Sequence, residues 1–160
     1  MSWISNKPIP VNERLIVALD VPDIPAAKAL VDTLGDSVVF YKIGLELFMS
    51  GDYFELIDWL NEKNKRIFVD LKFFDVPATV GRAVKQLSDK KVDFVTIHGN
   101  NAIMQAAAEQ KGKLKVLAVT VLTSLDRGDL DDLGFQCDVE KLVTSRAKRA
   151  IELGCDGVIS

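Results

Sequence analysis

Leu19-Asp20-Val21-Pro22-Asp23-Ile24-Pro25 joins the first apolar run of the chain to its first amphipathic stretch. A dinucleotide-binding sheet needs Gly-x-Gly-x-x-Gly at this first βα turn, so that backbone amides can approach a pyrophosphate. Two prolines and no glycine argue against that use. Outward from the turn, short β-branched runs recur at residues 14–19, 38–43, 66–71, 92–97, 114–121 and 156–160, and read as strands buried on both faces. Amphipathic stretches at 24–34, 51–63, 79–90, 102–110 and 139–153 read as helices between them. An α/β chain of this order closes into a (β/α)8 TIM barrel or opens into a doubly wound sheet. The turn favours the barrel, and so do the strand ends, where Asp20, Lys42, Asp70 with Lys72, His98, and Thr123 with Ser124 stand one after another. Carboxyl ends of barrel strands are where such enzymes keep their chemistry.

With 160 residues, 48% of them hydrophobic, the chain is long enough for one domain with a real core. Six strands do not close an eight-stranded barrel, which typically needs about 200 residues or more. The sequence also stops inside an apolar run, Gly157-Val-Ile-Ser160, and an unpaired buried edge is a poor place to end. The expectation is a single barrel domain over residues 1–160, with about six βα units, truncated before its last two strands. A net charge of −3 with mixed signs gives no basic stripe, so neither nucleic acid nor a membrane surface is an expected partner. Cys137 and Cys155 are too far apart for a CxxC motif and too few for a disulfide scaffold. The first residues lack the apolar stretch of a signal peptide, and the expected location is the cytoplasm.

Asp70 and Lys72 lie two apart on an expected strand, which points both side chains to one face. Charged residues are almost never buried unpaired, so an Asp-x-Lys facing inward implies a network in which each partner keeps the other ionised. Such a network can hold an ammonium where a proton must be delivered. Asp75 follows just past the strand end, where Val76-Pro77 imposes an extended turn. Taken alone, an Asp-x-Lys is better explained by a structural ion pair, or by a pair lying in solvent, than by catalysis. Asp20 alone fits a turn residue, Thr123 and Ser124 a cap, and His98 a hydrogen-bonded strand end. With a single histidine and unclustered cysteines, histidine-rich zinc or iron sites are excluded, whereas a carboxylate-bound magnesium is not.

The full string Asp70-x-Lys72-x-x-Asp75-Val-Pro-x-Thr79 resembles the Asp-x-Lys-x-x-Asp-Ile-Pro-x-Thr signature of orotidine 5'-phosphate decarboxylases. Val17-Ala-Leu-Asp20, Tyr41-Lys42-Ile-Gly44, Thr96-Ile-His98-Gly and Val121-Leu-Thr123-Ser124 resemble that family's strand ends in the right order. The resemblance implies a cofactor-free decarboxylation of orotidine 5'-monophosphate to uridine 5'-monophosphate (UMP), the last step of UMP synthesis. It implies a charged tetrad of Lys42, Asp70, Lys72 and Asp75, with Lys72 as proton donor. Substrate contacts would come from Asp20, Lys42, Asp70, Lys72, Asp75, Val76, Thr79 and Thr123. A homodimer is also implied, with Asp75 and Thr79 lent to the neighbouring subunit. Phe74 departs from the pattern, since many members have histidine there, and the family's phosphate-binding arginine has no counterpart in this chain.

Two other readings stay open. A related phosphosugar decarboxylase or aldolase on the same barrel would use Asp-x-Lys-x-x-Asp around a magnesium enediolate, but Lys42 would repel a cation there. A non-catalytic fragment that dimerises through barrel surfaces is the other.

Overall fold

A computed structural model describes residues 8–160. The chain divides into a first compact unit ending at Ile67 and a second from Phe68 to Ser160.

In the first unit a 3-10 turn, Val11–Glu13, precedes β1 (Val17–Ala18), α1 (Ile24–Leu34), a second 3-10 turn (Gly35–Ser37), β2 (Phe40–Gly44), α2 (Leu45–Met49) and α3 (Tyr53–Glu62). Helix α1 runs over the expected residues for legible reasons. Asp23 caps it by accepting a hydrogen bond from the Ala26 amide at 2.8 Å, and Pro25 occupies the first turn, where its missing N–H costs nothing. Gly35 ends it at φ +50°, a conformation that glycine adopts without penalty. Ile24, Ala27 and Val31 bury one face of α1. Strand β2 carries Phe40, Tyr41 and Ile43 fully into the core beside Leu47, Leu56, Ile57 and Leu60.

Strand β1 is shorter than the expected 14–19. The Arg14 amide closes the preceding 3-10 turn onto the Val11 carbonyl, and its guanidinium reaches the Ile9 carbonyl, so Arg14 belongs to the turn. Leu15 and Ile16 are exposed at 58% and 39%, which corrects the expectation of a strand buried on both faces. What remains pairs in parallel with β2, Val17 opposite Tyr41 and Ala18 opposite Lys42.

Strand β3 (Arg66–Phe73) starts in the first unit, where the Arg66 amide donates to the Val39 carbonyl, and continues in the second. There follow α4 (Pro77–Ser88), β4 (Phe94–His98), α5 (Asn101–Gln110), β5 (Lys115–Val119), α6 (Arg127–Asp132), α7 (Val139–Glu152) and β6 (Gly157–Ile159). Every pairing in this unit is parallel and joins strands that are neighbours in sequence. Val69, Val95, Ile97, Val116 and Ala118 fill the core with Val80 and Val84 of α4 and Met104 of α5. Helices α4 and α5 approach closely at Gly81, where a Cβ would stand 3.2 Å from the Ala106 carbonyl oxygen.

Helix α4 begins at Pro77, two residues before the expected Thr79, because proline fits the first helical position and holds Val76 extended. Helices α2 and α6 lie outside the expected elements. They have five and six residues, too few for a helical period to show. Helix α6 is closed by a capping box between Asp126 and Asp129. Beneath it Val121, Leu130 and Leu142 form a separate small core, with Leu125, Phe135 and Cys137 packed around it. Among the described residues no helix is long and apolar enough to cross a membrane.

Candidate active site

In the first unit Lys42, on β2, donates to the Asp20 carboxylate at 3.4 Å. The pair is held in register by the backbone, since the Leu19 amide donates to the Lys42 carbonyl at 2.9 Å. The Lys42 side chain is 24% exposed and that of Asp20 is 70% exposed, so the carboxylate faces outward and the ammonium is the sheltered partner.

In the second unit Asp70 and Lys72 meet at 3.0 Å, but not by simple alternation along a strand. The register between β3 and β4 jumps, from Val69 opposite Val95 to Phe73 opposite Ile97. Four residues of one strand thus oppose two of the other, a bulge that bends β3 at its carboxyl end. Lys72 sits in this bulge at φ +47°, the left-handed region. A side chain there costs on the order of 1–2 kcal/mol and persists only where the surroundings enforce it. The enforcing contact is Thr96, wholly buried in β4. Its hydroxyl oxygen accepts from the Lys72 amide at 2.9 Å and donates to Asp70 Oδ1 at 2.8 Å. Asp70 Oδ1 therefore receives both the Thr96 hydroxyl and the Lys72 ammonium. The Asp70 side chain is 14% exposed, against 37% for Lys72, so the ammonium end stays accessible.

Asp75 and Val76 are exposed on the β3–α4 loop, and the Asp75 carboxylate accepts from the Val76 amide at 2.6 Å. Thr79 is half-buried in the first turn of α4, with its hydroxyl accepting from the Arg82 guanidinium at 3.3 Å. Thr123 and Ser124 are the central residues of a turn closed by the Leu125 amide on the Leu122 carbonyl. The structure thus joins Asp20 to Lys42 in one unit and Asp70 to Lys72 in the other, while Asp75 bonds within its own loop. Among the described residues no group of three or more His, Cys, Asp or Glu is arranged to hold a metal ion.

Three residues that the sequence left unassigned shape this end of the second unit. Thr96 is one, and its signal was a polar residue between the buried Val95 and Ile97. Arg146 is another: half-buried on α7, it donates to the Thr120 carbonyl at 2.6 Å and lies over the Phe135 ring. Phe74, 69% exposed, lays its ring against that of His98 with centroids 4.7 Å apart.

Burial first, and then the Arg146 and Lys72 charges, hold the His98 imidazole below its ordinary value of 6.5. An unfolded chain takes up this proton as pH falls through about 6.5, whereas the folded chain resists it. The contribution to stability is complete above that pH and is lost as pH falls toward the folded value. We expect His98→Gln to flatten the rise in melting temperature as pH climbs toward about 6.5. An unchanged slope in the variant would show that other groups produce it.

The family model of orotidine 5'-phosphate decarboxylase / HUMPS proteins matches residues 13–160. An orotidine 5'-phosphate decarboxylase of Methylococcus capsulatus is 70% identical over 159 residues, covering 99% of this chain and 66% of that protein. One from Xanthomonas campestris is 51% identical over 155 residues, covering 96% of this chain and 64% of that protein. The chain therefore spans about two thirds of the length of the curated relatives it matches. Among solved structures, the Lactobacillus acidophilus orotidine 5'-phosphate decarboxylase superposes with a TM-score of 0.85 at 32% identity, covering 91% of this chain and 70% of that one. The Methanocaldococcus jannaschii enzyme, complexed with the inhibitor BMP, gives 0.74 at 26% identity, covering 91% and 66%. Six parallel strands alternating with helices, together with this likeness, make the fold class that of a partial (β/α)8 barrel.

Proposed function

Since the chain belongs to the orotidine 5'-phosphate decarboxylase / HUMPS family, we propose that it serves decarboxylation of orotidine 5'-monophosphate to UMP and carbon dioxide. The observation that carries this reading is the Asp70–Lys72 pair, a shielded carboxylate bound to an accessible ammonium at 3.0 Å on a strained strand end. The shared name of the relatives supports that choice of substrate class. We assign the six strands and their helices to one barrel domain.

The chemistry assigned to these residues is electrostatic. With the pyrimidine seated over Lys72, the bond from carbon 6 to its carboxylate breaks and leaves its electron pair on carbon 6. The Lys72 ammonium offsets that charge as it develops and then gives carbon 6 a proton, so UMP leaves and the amine regains a proton from water. Asp70 holds the ammonium in place at 3.0 Å and crowds the departing carboxylate. Lys42 and Asp20 bind ribose hydroxyls, and Thr123 meets the pyrimidine. Asp75, exposed on the β3–α4 loop, and Thr79, in the first turn of α4, complete a neighbouring subunit's site in a homodimer, and Val76 adds a substrate contact. The reaction draws on no cofactor, and the cytoplasm is the assigned location.

The test is loss of ultraviolet absorbance from orotidine 5'-monophosphate, with and without a chelator. Turnover that survives chelation is expected. Activity abolished by the chelator would favour the magnesium-dependent phosphosugar reading instead, and a soluble chain with no turnover would favour the fragment.

A further inference from the structure

We infer that Thr96 is the positioning residue of this site: its hydroxyl sets the left-handed backbone of Lys72 and aims the ammonium at Asp70. The inference rests on the reaction proposed above for its catalytic meaning, and on geometry for its structural one.

In β4, Val95 and Ile97 are fully buried, and so is Thr96. A valine there would match the volume and bring no polar atom to satisfy. The hydroxyl is explained by β3. When the register jumps between Val69 and Phe73, the amide of Lys72 takes a side-chain acceptor, Thr96 Oγ1 at 2.9 Å. A buried amide left unpaired is costly, so this bond stabilises the bulge.

The same oxygen has one proton to give, and it goes to Asp70 Oδ1 at 2.8 Å. A hydroxyl has two lone pairs and one proton, so the Thr96 oxygen accepts from the Lys72 amide and still gives its proton to the carboxylate of Asp70. Backbone and side chain of one catalytic lysine are thereby tied to a single atom: directly through the amide, and through Asp70 Oδ1 for the ammonium at 3.0 Å. The stiff χ1 of a β-branched residue keeps that atom in place. Thr96 touches no reacting atom in this scheme, and its effect passes through Lys72 and Asp70.

The experiment compares the wild type with Thr96→Val and Thr96→Ser, reading steady-state kinetics and exchange of the Lys72 amide by NMR. In Thr96→Val the Lys72 amide should exchange about tenfold faster. Its kcat should fall about a hundredfold with KM little changed, since misplacing a catalytic group by an ångström costs about that much. Thr96→Ser should restore both readouts. A residue that only fills the core would lower the melting temperature and leave kcat and Lys72 exchange alone, and that result overturns the inference. So does a serine variant no better than the valine variant. If the valine variant does not fold, Thr96→Cys, with its weak donor and acceptor, carries the same expectations. If the wild type itself fails to turn over the nucleotide, the proposed reaction falls, and Lys72 amide exchange alone decides whether Thr96 sets that backbone.

Discussion

If the proposed reaction holds, Lys72→Ala lowers turnover of orotidine 5'-monophosphate by about 10⁴-fold while the fold persists. Two losses coincide in this one substitution. In the proposed reaction the ammonium offsets charge on carbon 6, and removing one such stabiliser costs about 10²- to 10³-fold. It is also the proposed proton donor, and removing a positioned general acid costs about 10²- to 10⁴-fold. The two effects belong to one atom and will not multiply in full. Folding should survive for local reasons. The Lys72 side chain is 37% exposed, so its loss opens no cavity, and Asp70 keeps the Thr96 hydroxyl. Alanine at φ +47° is no more strained than lysine, since both carry a Cβ. The check pairs the absorbance assay with a thermal melt. A variant that melts like the wild type yet retains more than a tenth of its turnover would remove Lys72 from the mechanism.

Gly99→Ala should be the most damaging of the small substitutions for stability, at about 3 kcal/mol. Gly99 is buried directly after β4, and a Cβ there would lie 2.6 Å from the Val119 carbonyl oxygen on the neighbouring strand. That atom is backbone and cannot rotate away, so β4 and β5 would have to part at their carboxyl ends. At this chain length the penalty corresponds to a fall in melting temperature of roughly 6 to 12 °C. Gly112→Ala is the control, because Gly112 has φ +56° and open space around its missing Cβ. It should cost only the left-handed penalty, about 1 kcal/mol. If the two variants melt together, the tight approach at Gly99 is not the constraint.

What was legible in the sequence depended on how local its cause was. Helix α1 could be read to the residue because Asp23, Pro25 and Gly35 carry its start and stop within the segment itself. Strand β1 could not, because a 3-10 turn just before it claims Arg14, and apolar content alone does not show which residues find a partner. The Asp70–Lys72 pairing was foreseen for an incomplete reason. Alternation along a regular strand placed the two on one face, whereas the structure brings them together through a bulge, a left-handed residue and a threonine 24 positions along the chain. No pattern within the Asp70 to Thr79 string names that threonine. Phe74 read as a local departure, and its contact with His98 depends on where β4 ends, which the string does not contain either.

The small core of Val121, Leu130 and Leu142 has a consequence for motion. Thr123 and Ser124 ride on a segment whose own apolar residues are packed beneath it, clamped further by Arg146 on the Thr120 carbonyl and by Arg127 on the Cys137 carbonyl. Such a segment does not fray residue by residue, because exposing any part of it gives up the shared burial of Leu130. It opens as one body or stays shut, so an exchange experiment should find the amides of residues 121 to 135 breathing together, at a rate set by how firmly α7 holds its end of that core.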